Sequence, residues 1–364
     1  MNHIKCHLIT LFLSLFLIGC NESTNNTVSV KPQSNEDIVQ DSLQKLDSLV
    51  LKYIAKNADE SIKYAKQAFK VSQTVNTPAG RAKAYKILGN AYSAVIIDSG
   101  FYFYHKALAV IDSFNLNDEK GKVLYNLGIL NRSAGNYKNY KMLIDSALRF
   151  SIQINDFATM SNSLNSLGGF YYNIGEKVIA RKMFDSAFAI AKRKLFYLQM
   201  GSALGNLARF ENNLNKSVTM LRQAISYLEK SNGSDEQVAQ CLINIGFRIS
   251  DSDSALHYYN QAINMVSVEY SPVVTIGAYN NMAYCYLGKG DLKNAEKCIL
   301  EHALPVAIRT NNIDWQSTVY DTYADILQRK GNSTEARVYK KKALEAKETY
   351  RALVSPSLIS TKNN

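Results

Sequence analysis

Apolar residues along this chain recur three and four positions apart, in short stretches that come in pairs. Leu164, Leu167 and Tyr171 form one stripe, and Ala180, Phe184 and Ala187 form the next, after the turn residues Asn173-Ile174-Gly175. Such spacing places side chains on one face of an α-helix, so each pair predicts a helical hairpin. The hairpin repeats. Leu88-Gly89 returns as Leu127-Gly128, Leu167-Gly168, Leu204-Gly205 and Ile245-Gly246, then with Ala for Gly as Met282-Ala283 and Tyr323-Ala324. The small residue advances by 39, 40, 37, 41, 37 and 41 positions.

A second pair of columns keeps the same beat. Gly100/Ala107, Tyr140/Ala147, Ala180/Ala187, Ser217/Ala224, Ala255/Ala262 and Ala336/Ala343 are each seven apart, whereas Ala295/Ala303 is one residue late. Ser61/Ala68 marks a degenerate earlier copy. Small residues on both helices let two backbones approach, and Phe184, Leu221, Tyr259 and Ile299 are placed to fill the remaining gap. Gly135, Gly175, Gly290 and Gly331 mark turns between paired helices. Pro305, inside the second helix of the seventh copy, is expected to end or kink it.

These columns resemble the tetratricopeptide repeat. Leu167-Gly168-x-x-Tyr171…Gly175…Ala180…Phe184-x-x-Ala187 carries the likeness, and so does Tyr279-x-x-Met282-Ala283-x-x-Tyr286…Gly290…Ala295…Ile299. It covers about residues 44–350, with units longer than the family's 34 residues, and shortened turns in the copies around Gly89, Gly205 and Gly246. The resemblance implies an all-α, tetratricopeptide-type α-solenoid of about eight helix-turn-helix repeats coiled as a right-handed superhelix. The repeats fall near 44–76, 82–115, 121–155, 161–195, 198–231, 238–268, 276–309 and 316–350. The solenoid is expected over 36–354, with a capping helix at 36–53 and a disordered tail at 355–364.

Ahead of the repeats lies a different pattern. Leu8–Ile18 is an uncharged apolar run after Lys5. As a helix it reaches only about 16 Å, roughly half of a bilayer core, which is the size of a signal-peptide core and not of a span. It closes in Leu17-Ile18-Gly19-Cys20, which looks like a bacterial lipobox. The resemblance implies cleavage of 1–19 and acylation at Cys20, with a polar tether over 20–35. The implied location is the bacterial cell envelope, periplasmic or surface-facing. Asn21 after the Cys leans it toward the outer membrane of a Gram-negative cell. Asp145-Ser146-Ala147, Asp185-Ser186-Ala187 and Asp253-Ser254-Ala255 resemble an O-glycosylation motif of Bacteroidetes-type secreted proteins.

Composition narrows the chemistry. The chain carries 42 Lys and Arg against 31 Asp and Glu, a net charge of +11. The export signal argues against a nucleic-acid partner. Downstream of the signal only His105, His257 and His302 remain, none in a zinc pattern, and no phosphate loop or nucleophile elbow occurs. No enzyme activity, cofactor or metal is expected. Cys241, Cys285 and Cys298 stand at packing positions, with a Cys285–Cys298 bridge as the other reading. Two uncharged stretches, 157–175 and 270–288, coincide with first helices of repeats and read as packed helices.

In the tetratricopeptide family the first helix of each unit lines the concave face. The resemblance therefore implies partner-binding positions at Lys83, Lys86, Asn90, Lys122, Asn126, Arg132, Asn165, Tyr172, Asn206, Arg209, Asn244, Asn281 and Tyr284. Amides offer donors and acceptors to an extended peptide backbone, and the cations favour acidic groups. The expected function is a lipid-anchored envelope scaffold that binds a protein or peptide partner. The alternative is a sensory module, related to extracytoplasmic repeat arrays of histidine kinases or transcriptional regulators but lacking their span and output domain.

Overall fold

The computed structural model describes residues 34–231, 235–267 and 271–354. The signal sequence, Cys20, nearly all of the tether and the C-terminal tail lie outside the described residues. Asn35–Asn364 forms one compact unit, distinct from Met1–Ser34. Among the described residues it is built of helices alone, arranged as eight consecutive hairpins. The pairs are α1 (Asn35–Tyr53) with α2 (Ala58–Val75), α3 (Pro78–Ser93) with α4 (Ile97–Phe114), α5 (Asn117–Ser133) with α6 (Tyr137–Gln153), and α7 (Phe157–Asn173) with α8 (Lys177–Lys194). Next come α9 (Tyr197–Leu207) with α10 (Leu214–Lys230) and α11 (Asp235–Arg248) with α12 (Ser252–Met265). α13 (Pro272–Gly288) pairs with α14 (Leu292–Lys297), which runs through a π-helical stretch, Cys298–Ala303, into α15 (Leu304–Arg309). α16 (Ile313–Arg329) and α17 (Ser333–Val354) complete the array. The helix expected to act as a cap, α1, is thus the first helix of a complete first repeat.

The marker glycine is explained by what faces it. A Cβ at Gly168 would come within 2.7 Å of the Phe184 ring, and one at Gly246 within 2.7 Å of Tyr259. Phe184, Leu221, Tyr259 and Ile299 are all buried, as gap-fillers should be. Their surroundings are small: Ala107, Ala147, Ala180, Ala187, Ala224 and Ala262 have no accessible surface. Side-chain caps start many of the helices, for example Asn57, Asn136, Asp156, Asp251 and Asp291, each accepting a bond from a backbone N–H of the first turn. The turn glycines Gly135, Gly175, Gly290 and Gly331 all have positive φ, between 75° and 90°.

Of the two outcomes expected at Pro305, an end or a kink, the first does not occur. The helix takes up a π turn over Cys298–Ala303 and continues. The wider turn answers two demands at once. Pro305 has no N–H to donate to the preceding turn, and the Ala295/Ala303 pair carries one residue too many for two α-helical turns. The π turn absorbs that residue, so Ala295 and Ala303 both remain fully buried against α13. The turns also differ from expectation. Those after Gly89 and Gly246 have three residues, as in most of the other hairpins; in the latter copy it is the first helix that ends early, at Arg248, and at Gly205 the first helix closes early into a 3-10 turn, Ala208–Phe210.

The uncharged stretches are packed repeat helices, α7 and α13, and no helix among the described residues is long and apolar enough to cross a membrane. The three cysteines are free thiols. Burial pushes the Cys241 thiol up to about 12 and that of Cys298 up to about 11, as inert packing side chains behave.

Winding is tight enough that successive turns of the array touch. The hairpin turn of the first repeat meets the sixth: Lys56 pairs with Asp235, and the Ser267 N–H donates to the Ala55 carbonyl at 3.0 Å. The hairpin turn of the third repeat meets the eighth, where the rings of Tyr137 and Tyr350 pack edge to face at 5.0 Å. Val354 and Ile313 join Tyr137, Tyr140 and Phe170 in one apolar cluster there. Both contacts join units five apart. Stacked repeats add small rotations, and here five of them bring the chain back onto itself.

Candidate functional site

The first helices of the hairpins form the inner wall of this coil. In repeats one to three that wall is a closed polar network. Lys86, buried on α3, places its ammonium 3.1 Å from Asp47 of α1 and 3.6 Å from Glu119 of α5. Lys122 reaches Glu119 at 3.0 Å, and Lys83 donates to the Gln40 carbonyl at 3.2 Å. Asn90 donates to Asp47 at 3.1 Å and accepts from the Tyr104 hydroxyl and from Asn126, both at 2.8 Å. Burial alone would lower the Lys86 pKa, but Asp47 and Glu119 outweigh it and raise it. Burial likewise opposes ionisation of Glu119, and Lys86 with Lys122 overrides it, so that carboxyl is held below its ordinary range.

Five of the expected partner-binding residues, Lys83, Lys86, Asn90, Lys122 and Asn126, therefore already hold bonds within the wall. The amide ladder continues in the same internal sense. Asn206 donates to Asn165 at 3.1 Å, and Thr322 donates to Asn280 at 2.8 Å. Asn281 is hydrogen-bonded with the Tyr259 hydroxyl. These amides tie each first helix to a neighbouring helix.

From the third repeat onward the wall changes character. Arg132, at the end of α5, lies against the Tyr140 ring at 5.6 Å and near Tyr125 and Tyr137. Arg132 is solvent-exposed and hydrogen-bonded with Tyr140. Glu236 of α11 has its carboxyl pushed up by desolvation, with Arg132 as the opposing influence. Arg209, just past α9, stacks on the Tyr172 ring at 3.7 Å. Its electrostatic partner is Asp314 of α16, again raised by desolvation and opposed by Arg209. Among the described residues neither pair closes into a contact ion pair. Asn244 makes no side-chain hydrogen bond, Tyr284 stands 43% exposed, and Phe247 stands 69% exposed.

Sequence reasoning placed Arg132, Tyr172 and Arg209 on this face but missed Glu236 and Asp314. Both acids sit ten residues before the marker of their repeat, while both arginines sit four residues after theirs. Each arginine is the charge that opposes the raised pKa of the acid in the unit three repeats further on. That shared offset was readable in the sequence, but nothing in one repeat says that its beginning faces the end of another so far away. The described residues include no cluster of side chains able to hold a metal ion.

Comparison with known proteins agrees with this geometry. Residues 274–349 match the model of the tetratricopeptide repeat. No curated protein matches the chain by sequence. Among solved structures the fold is similar to that of a Rap protein complexed with competence and sporulation factor, with a TM-score of 0.60 at 10% identity, covering 88% of this chain and all of that one. It is also similar to NprR in complex with its cognate peptide NprX, with a TM-score of 0.57 at 11% identity over 90% of this chain and 99% of that one. The apo quorum sensor NprR from B. thuringiensis gives a TM-score of 0.53 at 11% identity, over 87% and 89% of the two chains. At such identities the likeness is one of fold. The fold is a tetratricopeptide-type α-solenoid.

Proposed function

We propose that this protein is a lipid-anchored scaffold of the bacterial cell envelope that takes an extended peptide, or a peptide-like segment of a partner protein, into the channel of its solenoid. One observation carries the reading: the turns of the array touch, and on its inner wall Arg132 and Arg209 lie against the Tyr140 and Tyr172 rings and outside any contact ion pair among the described residues. Guanidinium groups held on aromatic faces and not by a carboxylate keep N–H donors for a ligand that accepts from them. Two proteins of similar fold are known as complexes, one with the competence and sporulation factor and one with the peptide NprX. The binding set differs from the family pattern read off the sequence. Arg132, Tyr172, Arg209, Asn244 and Tyr284 face the ligand, while Lys86, Asn90 and Asn126 hold the wall. We read the protein as a binding module without catalytic activity.

Crosslinking pull-down from envelope fractions tests this reading. A variant combining Arg132→Gln, Tyr172→Ala and Arg209→Gln loses the partners that the unaltered protein captures; persistence of every interactor refutes the channel as the binding face. The anchor has its own test, since Cys20→Ala abolishes metabolic labelling with palmitate if Cys20 is the acylated residue. The sensory alternative draws on the same channel, and one similar fold belongs to a quorum sensor. It predicts that the captured partner is a transmembrane regulator.

A further inference from the structure

Away from the inner wall, α8 is the most basic helix among the described residues. Between Lys177 and Lys194 it carries six cations, Lys177, Arg181, Lys182, Lys192, Arg193 and Lys194, against the single acid Asp185. All six are exposed. Arg181 approaches Asp185 at 3.9 Å, while Arg193 and Lys194 lie over the Phe157 ring at 5.5 and 4.1 Å. Among the described residues no acid stands within ion-pair distance of any of these cations except Arg181. α17 is the contrast. It has as many cations but three acids, and its Lys340 and Lys341 are paired with Asp321, Asp325 and Glu345. The helix dipole accounts for the last-turn cations of α8, but not for Lys177, Arg181 and Lys182 at the opposite end.

Two apolar side chains stand at the ends of this basic helix. Val178 is 71% exposed and Leu195 is 64% exposed. Leu195 closes α8 in the left-handed region, with a φ of 57°. Where other second helices give way to the next repeat, the residue in that conformation is an asparagine, as at Asn76, Asn115, Asn155 and Asn311. Asparagine enters the region readily because its side chain bonds locally, whereas leucine is strained there. The strain is thus borne by a side chain that buries little. The face of α8 opposite the buried Ala180, Phe184, Ala187 and Ala191 presents Val178, Lys182, Ala189 and Arg193. From Val178 to Leu195 this face runs about 25 Å, cationic along its length and apolar at both ends. An acidic protein segment would answer the cations but not the two apolar ends. A bilayer surface answers both, with phosphate headgroups for the cations and the headgroup–acyl boundary for the apolar side chains. We propose that the outer face of α8 docks on a membrane surface bearing anionic phospholipid headgroups. This rests on the envelope location proposed above, which places a bilayer beside the protein.

The test uses the full chain carrying Cys20→Ala, so that no acyl group is present. Flotation measures its binding to vesicles of phosphatidylcholine alone, or of phosphatidylcholine and phosphatidylglycerol in equal parts. The apolar run Leu8–Ile18 is common to every variant, and the readout is the ratio of the two partition coefficients. The chain is expected to favour the anionic vesicles about a hundredfold. Lys182→Gln with Arg193→Gln cuts that ratio about tenfold, while Arg337→Gln with Lys347→Gln, which removes the same charge from α17, changes it less than about twofold. Val178→Ser with Leu195→Asn weakens binding to the anionic vesicles about fivefold. Leu195→Asn also raises the melting temperature by relieving the left-handed strain, whereas a purely structural role for Leu195 would move stability alone. Equal binding to both vesicles, or a preference that the α8 cations do not alter, overturns the proposal. A preference undiminished by Val178→Ser with Leu195→Asn assigns the face to an acidic macromolecule and overturns the bilayer as its partner. Either result leaves acylation at Cys20 standing, because palmitate labelling reads that separately.

Discussion

The inner wall of repeats one to three and that of repeats three to eight are made from corresponding helix positions, yet they handle charge in opposite ways. In the first region Lys83, Lys86 and Lys122 each have an acid nearby. Lys86 sits between Asp47 and Glu119, and the latter's carboxyl is held low by the ammonium groups around it. In the second, Arg132 and Arg209 lie against tyrosine rings, and the Glu236 and Asp314 carboxyls are pushed up because desolvation outweighs the influence of those cations. The difference lies in the source of the counter-charge. Asp47 and Glu119 come from adjacent first helices, where contact is guaranteed by stacking. Glu236 and Asp314 come from three repeats away, where only the coil brings them near. A closed network stabilises the wall, and the arginines outside it are where the proposed peptide would bind.

The largest expected effect breaks the closed region. Lys86→Ala leaves Asp47 and Glu119 buried without their shared cation and costs about 3–5 kcal/mol, the cost typical of breaking a buried pair from one side. Urea denaturation measures it; a loss below about 1 kcal/mol would mean that the network is a bystander. Next comes the packing common to both regions. Gly168→Ala forces a methyl into the Phe184 ring and destabilises by about 1–3 kcal/mol, whereas Gly169→Ala meets nothing within 4 Å and serves as the control. Equal melting temperatures for the two variants would remove the reason given for the marker glycine.

The seam that holds the open region in place is probed by Tyr350→Ala. It removes the edge-to-face partner of Tyr137 and part of the apolar cluster, with about 0.5–1.5 kcal/mol lost from the ring pair beyond its buried area. Small-angle scattering is expected to show a larger radius of gyration. An unchanged radius would mean that the polar seam alone keeps the coil shut.

Acid sharpens the comparison, because the two regions respond with opposite sign. Glu236 and Asp314 have raised folded pKa values, so their contribution to stability grows as pH falls from neutral and is lost as pH rises through those values. Glu119 is depressed, so its contribution is present above the unfolded carboxylate pKa of about 4.3 and disappears as pH falls through the folded value. Melting temperature is expected to rise slightly from pH 7 to about pH 5 and then drop steeply below about pH 4. Glu236→Gln with Asp314→Asn abolishes the rise and keeps the drop. The smallest effect belongs to Lys56→Ala: its pairing with Asp235 is solvent-exposed and worth less than about 1 kcal/mol by thermal denaturation.

Similar solenoids reach this chain at 10–11% identity, too low to transfer any residue role. The proposal that Arg132 and Arg209 contact a ligand rests on this molecule's own contacts.

Hairpins, their number and their packing logic were legible along the chain, because a helix face needs only a spacing of three and four and a close approach needs only a small residue opposite a large one. Gly168 with Phe184, and the alanine columns, are local facts of that kind. Even the late Ala295/Ala303 pair was visible, although its resolution as a π turn was not. What the linear order left undetermined was how far each repeat rotates on the one before. That angle is small per unit and summed over five units, so it decides whether Lys56 meets Asp235, whether Tyr137 meets Tyr350, and which acid each arginine sees. The period of the sequence defined the helices; the accumulated twist of their packing defined which turns of the array touch and how the charges along its inner wall are paired.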